Sequence, residues 1–139
     1  MTVFLDTSVV LRVLFGEPDP LPDWGQWTAA YANSLWRVEA LRTVDRARLA
    51  GAVDDVQVVA LRREITLVHS SLHVVPLTDS ILLRAADTFP TVLGTLDAIH
   101  LASALVVSAA IDAFLTHDGQ LGAAAEAMGF EVRGLPSPA

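Results

Sequence analysis

Gly94–Ser108 reads GTLDAIHLASALVVS, and the fold of the whole chain follows from how this stretch is read. From Thr95 onward the alanines and leucines predict a helix, with Thr95 as its N-cap. At 100° per residue Asp97, Leu101, Ala104 and Ser108 share one face, with His100 and Leu105 flanking it. Leu101 and Ala104 are core residues by type, so Asp97 projects from the first turn of a core-facing stripe. A carboxylate near a helix N-terminus is worth about 0.3–1 kcal/mol on a wet surface. On a stripe that faces the interior, the same residue is expected at the lip of a cleft, beside other carboxylates.

The flanking sequence supplies strands on both sides. Downstream, Ala113–Thr116 is a short apolar strand that runs into His117 and Asp118, followed by an alanine-rich helix, Gly119–Met128, closed by Gly129. Phe130–Leu135 is a last strand. Upstream, Leu72–Leu77 reads as a strand, and Thr78 caps a helix over Asp79–Thr88 that Phe89–Pro90 breaks. A helix over about Asp54–Val68 precedes it. Earlier still, Ser34 caps a long helix, Leu35–Ala50, ended by Gly51, whose apolar stripe is Leu35, Val38, Leu41 and Leu49. Ala29–Asn33 is a weakly signalled strand, and the proline-rich Glu17–Gly25 is a loop. At the N-terminus Thr2–Leu5 is a buried strand that ends on Asp6, after which Thr7 or Ser8 caps a helix over Val9–Phe15 that stops at Gly16. Strands alternate with helices throughout, which predicts an α/β fold with a mostly parallel sheet covered on both faces. The expected organisation is one domain over residues 1–135 with a tail at 136–139.

Composition narrows the function. The chain has 139 residues, 18% of them charged, and no cysteine. A disulfide framework, thiolate zinc and a cysteine nucleophile are therefore excluded. All nine basic residues are arginine. Without lysine there is no phosphate-binding GK[ST] loop and no lysine-dependent phosphotransfer site. The start, MTVFLDTSVV, lacks a basic region ahead of its apolar run and is not read as a signal peptide. The uncharged stretch Leu101–Ile111 is too short for a membrane span of about 20 residues. A cytoplasmic protein is expected. A formal charge of −7 argues against a broad basic surface that coats nucleic acid. It leaves room for a nuclease, because bound divalent cations offset clustered carboxylates.

In open parallel sheets, sites form beyond the carboxyl ends of the strands, where the strand order reverses. Asp6 and Asp118 stand just past apolar strands, and Glu39 and Asp97 sit in early turns of helices that pack near the same rim. Two unit charges about 4 Å apart repel by about 4 kcal/mol at an effective dielectric of 20. Four carboxylates without a lysine must therefore take up protons or bind cations, and oxygen-only ligands favour Mg²⁺ or Mn²⁺. Each residue also has a plain structural reading. Asp6 alone is a helix cap, Glu39 pairs with Arg42 on a solvated helix face, and Asp118 before glycine is a turn. Their joint placement is the signal.

Four stretches carry a resemblance: VFLDTSVVLRVL at Val3–Leu14, NSLWRVEALR at Asn33–Arg42, TLDAIHLASAL at Thr95–Leu105 and FLTHDGQLGAAAEAMGFEV at Phe114–Val132. In order and spacing the chain resembles the PIN-domain ribonucleases, and among them the VapC-type toxins of type II toxin–antitoxin pairs. The resemblance implies a PIN-like three-layer α/β/α sandwich with a parallel sheet of about five strands. It implies a Mg²⁺- (or Mn²⁺-) dependent endoribonuclease that hydrolyses RNA phosphodiesters with a metal-activated water. The family's catalytic, metal-holding acids map to Asp6, Glu39, Asp97 and Asp118. Its supporting hydroxyls map to Ser8 or Thr7, Ser34 and Thr116. A small antitoxin (VapB-like) that blocks the cleft and a homodimer are implied as well. The alternatives are a PIN nuclease acting on DNA and a catalytically silent PIN module that binds RNA or protein.

The remaining candidates have packing roles as their first reading. His69 and His73 lie four apart but straddle a helix-to-strand junction with no acid to join them. His100 is expected as a packed helix histidine, with contact to substrate or a metal-bound water as the alternative. The arginines between Arg37 and Arg48 form a solvated face, or else meet phosphate. Trp24, Trp27 and Trp36 pack the core and its borders, or else stack on bases.

Overall fold

The structure, a computed structural model, describes residues 1–137. Five strands alternate with six helices: β1 (Thr2–Leu5), α1 (Thr7–Leu14), β2 (Ala29–Asn33), α2 (Leu35–Leu49), α3 (Asp55–Ser70), β3 (His73–Val75), α4 (Asp79–Ala86), α5 (Thr95–Val106), β4 (Ala113–Leu115), α6 (Gly119–Ala127) and β5 (Val132–Arg133). The strands form one parallel sheet in the order β3-β2-β1-β4-β5. The three-layer α/β/α sandwich with about five parallel strands, expected from the sequence, is the fold observed. Residues 138 and 139 of the expected tail lie outside the described residues.

Strand alternation sorts the core into two halves. Val3 and Leu5 of β1, Ala30 and Ala32 of β2, and Ala113 and Leu115 of β4 face a cluster built with Val9, Trp36, Val44 and Ile65 from α1, α2 and α3. Phe4 and Phe114 point to the other face, against Ile81, Leu101, Leu121 and Ala124 from α4, α5 and α6. Phe4 and Phe114 stack with ring centroids 5.4 Å apart. The chain steps outward from β1 to β2 and β3, then crosses back to β4 on the far side of β1. The switch point of the sheet therefore lies between β1 and β4.

Three local expectations are corrected. The buried stripe of α2 is Trp36, Ala40 and Val44, whereas Val38 and Leu49 are exposed. Leu35 and Leu41 of the expected stripe are half-buried against the core, so hydropathy misplaced only part of the face, passing over Ala40. Second, the caps lie one position earlier than expected in α1 and α5, at Asp6 and Gly94, and neither makes a side-chain cap bond. In α2 the Ser34 side chain makes no cap bond, and Asn33 Oδ1 accepts the Leu35 amide instead, at 2.8 Å. Third, β3 and β5 are shorter than the runs that suggested them, because both are edge strands paired on one side only. Elsewhere the signals hold: Asp54 and Gln57 form a reciprocal capping box on α3, and Thr78 caps α4.

Candidate active site

The ends of β1 and β4 are tied together by hydroxyls. Asp6 leaves β1 in extended conformation, and its Oδ2 accepts from Ser8 Oγ at 2.6 Å and from Thr116 Oγ1 at 2.8 Å. Ser8 Oγ in turn accepts from the His117 amide at 3.0 Å, and Thr116 Oγ1 accepts from the Asp118 amide at 3.0 Å. The hydroxyls expected to cap α1 or orient carboxylates thus orient Asp6 and tie the end of β1 to that of β4, through Thr116 to Asp6 and the His117 amide to Ser8. Asp118 caps α6, its Oδ1 accepting the Leu121 amide at 2.9 Å.

Glu39 reaches the same rim from α2. Its Oε1 accepts from Thr7 Oγ1 at 2.9 Å and from His100 Nε2 at 2.5 Å. The expected pairing of Glu39 with Arg42 is not formed, because Arg42 turns to Asp45 at 3.1 Å. His100 is fully buried on α5, one turn after Asp97, and its Nδ1 has no partner among the described residues. A nearby buried bond, Asn33 Nδ2 to Ser103 Oγ at 2.6 Å, joins β2 to α5 and fixes the register of α5 over the sheet. Ser34, expected among the supporting hydroxyls, makes no hydrogen bond to a carboxylate among the described residues.

The electrostatics show that the four acids share one neighbourhood. The Asp97 carboxyl is pushed up to about 6, first by burial, then by the charges of Asp118 and Asp6 and, less, of Glu39, with His100 opposing. Burial alone would push Glu39 up, but the hydrogen bond and charge of His100 and the Thr7 hydroxyl outweigh it and hold Glu39 below the usual carboxylate range. Burial of the His100 ring disfavours its cation. The Glu39 bond and the charges of Asp6, Glu39 and Asp97 overcome this and raise it. His100 is therefore the partial counter-charge of an otherwise anionic rim.

The donor set fits a hard divalent cation. Asp6, Glu39 and Asp118 are each pinned through one oxygen, and the other has no hydrogen-bond partner among the described residues. Asp97 makes no side-chain hydrogen bond at all among them. Four carboxylates thus keep oxygens available, the kind of ligand Mg²⁺ and Mn²⁺ prefer. Among the described residues no three such side chains stand close enough to enclose one ion as they are placed. Mutual repulsion, which adds to burial in raising Asp97, opposes closer approach until a cation screens it.

The histidines His69 and His73 each have a packing partner. Trp36 Nε1 donates to His69 Nδ1 at 3.1 Å, and His73 stacks on Tyr31 at the sheet edge. Trp36 is fully buried, while Trp24 and Trp27 meet edge-on, 5.1 Å apart, and pack against the core from the loop.

An open parallel sheet with carboxylates gathered at its switch point defines the class: an α/β domain built to hold charge at the strand ends. The family model for the PIN domain matches residues 3–127, and the chain belongs to that family. It is 30% identical over 135 residues to Ribonuclease VapC47 of Mycobacterium tuberculosis (strain CDC 1551 / Oshkosh), covering 92% of this chain and 93% of that one. Among solved structures it is similar to a chain of a toxin–antitoxin complex from Klebsiella pneumoniae. The TM-score is 0.65 at 14% identity, covering 94% of this chain and 95% of that one, a likeness of fold. No helix among the described residues is long and apolar enough to cross a membrane.

Proposed function

We propose that this chain is a divalent-metal-dependent endoribonuclease that acts as the toxin of a toxin–antitoxin pair. The observation that carries the reading is the gathering of Asp6, Glu39, Asp97 and Asp118 on one rim, three of them pinned by hydrogen bonds and the fourth, Asp97, raised to about 6 first by burial and then by the charges of the other acids. A cluster that repels itself in this way is unfavourable for the fold and useful for holding cations. The similarity to a named ribonuclease, and to a chain taken from a toxin–antitoxin complex, supports the choice of RNA and of a small antitoxin partner. A single nuclease domain over residues 1–135 with a tail at 136–139, a homodimer and a cytoplasmic location belong to the same reading.

In this reading Asp6, Asp97, Asp118 and Glu39 hold Mg²⁺ or Mn²⁺. When bound, the cation supplies charge neutralisation and Lewis acidity at a phosphodiester. The chain's own residues set the geometry. Ser8 and Thr116 fix one Asp6 oxygen, so the other keeps a single direction. Thr7 and His100 do the same for Glu39, and His100 also moderates the net negative charge that an incoming phosphate meets.

The test is cleavage of a labelled single-stranded RNA by purified protein. Cleavage is expected with Mg²⁺ or Mn²⁺, lost on adding EDTA, and restored by excess cation. RNA left intact under all metal conditions, in protein freed of its partner, overturns the proposal.

A further inference from the structure

A polar cavity of about 690 Å³ opens beside His117, the residue before Asp118. It lies between the last turn of α1, the loop after it and the segment following β5, and its charged lining is Arg12, Asp19, Asp23 and Arg133, with His117 at the end nearest Asp118. From the geometry we infer that this cavity takes one unpaired nucleotide of the RNA next to the scissile bond, with Arg12 and Arg133 as its phosphate and base contacts; the inference rests on the nuclease reading above.

Position is the first argument. His117 precedes Asp118, and its amide donates to Ser8 Oγ, which donates to Asp6. In this inference a strand of RNA whose phosphate lies over Asp6 and Asp118 reaches the cavity past His117. The walls are built rather than incidental. His117 Nδ1 donates to the Gly134 carbonyl at 2.6 Å, and its Nε2 is buried without a partner among the described residues. Gly134 has φ +101°, and a Cβ there would meet the Thr116 carbonyl oxygen at 2.7 Å, so only glycine brings this segment so close to the end of β4. Across the cavity, Leu21 is buried and anchors the loop, while Asp19, at φ 57°, turns its carbonyl onto Arg12 Nη1 at 3.2 Å.

Charge is the second argument. The chain is acidic overall, and of its nine arginines Arg12 and Arg133 line this cavity. Arg42 and Arg48 pair with Asp45, and Arg84 sits over the Phe89 ring. Arg37, Arg46, Arg62 and Arg63 lie on exposed faces of α2 and α3. Arg12 uses one N–H on the Asp19 carbonyl. Arg133 uses two on Glu131, and its Nη1 donates to Met1 Sδ at 3.3 Å and stands 4.0 Å from Asp23. Guanidinium donors beside Asp19 and Asp23 carboxylates suit a nucleotide better than a bare phosphate, because an unstacked base offers acceptors and donors together. The volume is within the ordinary range of small-molecule sites, about 300–1,000 Å³.

The experiment measures binding of a labelled single-stranded RNA to full-length Asp97→Asn protein, which removes cleavage from the measurement. The Arg12→Gln/Arg133→Gln pair is expected to raise Kd at least about tenfold and to flatten the salt dependence by about 0.7 per arginine lost. Arg62→Gln/Arg63→Gln on α3 should leave Kd within about twofold. In the otherwise unmutated chain, the cavity pair should raise KM with kcat within about threefold. Arg133→Lys should recover most of the affinity, and together with Arg12→Gln alone it carries the test if the double variant folds poorly. Unchanged affinity in the cavity variants, or a larger loss from the α3 pair, overturns the inference. Failure of the nuclease reading shows separately, as absence of cleavage by the unmutated chain.

Discussion

Two aspartates of this molecule are displaced in opposite directions. Asp45, on the exposed face of α2, is held below the usual carboxylate range, first by its hydrogen bond from Arg48, with the charges of Arg48 and Arg42 adding to it. Asp97, at the switch point, is pushed up by burial and by three acidic neighbours. The chain thus places two arginines around a carboxylate that has water to solvate it, and none around the carboxylates that lack it. Had stability alone set the arrangement, the cations would sit where burial makes charge costly. On the proposed reading, the rim is left short of positive charge in the free chain because the cation it holds supplies that charge.

The largest effect that would break this contrast is catalytic. Asp97→Asn is expected to lower RNA cleavage by about a thousandfold or more while the far-UV spectrum stays native, as for removal of a group that acts on the reacting centre. Cleavage retained within tenfold would put Asp97 among structural acids. Next in size is the response to metal. Mg²⁺ at about 100 times its Kd should stabilise the unmutated chain by about 2.7 kcal/mol in thermal unfolding. An Asp6→Asn/Asp97→Asn protein should respond much less, and identical titrations for the two would remove the cation from the account.

A smaller effect concerns pH without metal. The folded Asp97 carboxyl is raised from 3.8 to about 6, so across that window the folded state holds more protons than the unfolded one. By linkage, the stability contributed by this group is present below pH 3.8 and lost as pH rises through about 6. Because the group is only half-buried, solvent screening reduces the effect to about 1 kcal/mol. Asp97→Asn should therefore be more stable than the unmutated chain at pH 7.5, and the gap should close near pH 4. A gap independent of pH would show that repulsion is not its source. Smallest of all is Asp45→Asn, which should leave cleavage within about twofold and the metal response unchanged. A clear loss of either would erase the distinction between the two aspartates.

Much of this was legible in the chain. Asp6 and Asp118 follow apolar runs of the right length for buried parallel strands, so periodicity alone put them at strand ends. Asp97 was placed by the helix period of GTLDAIHLASALVVS. Those readings depend on neighbours within a few residues, and the sequence records them directly. Part of the face of α2 was misread because its buried positions include Ala40, a residue whose burial reflects how closely α2 lies on the sheet rather than its own hydropathy.

What the sequence determined by itself, then, is the order of the elements, the parallel sheet and four acids at one end of it, because each is written in local pattern. Tertiary structure alone decided who holds those acids. Glu39 meets His100 across 61 positions, Thr116 meets Asp6 across 110, and Asn33 meets Ser103 across 70. Arg12 and Arg133 come to one cavity only because α1 and the segment after β5 pack on the same side of β4. Hydrogen bonds and charge act through space over a few ångströms, and distance along the chain carries no record of which side chains the closed sheet will bring that near.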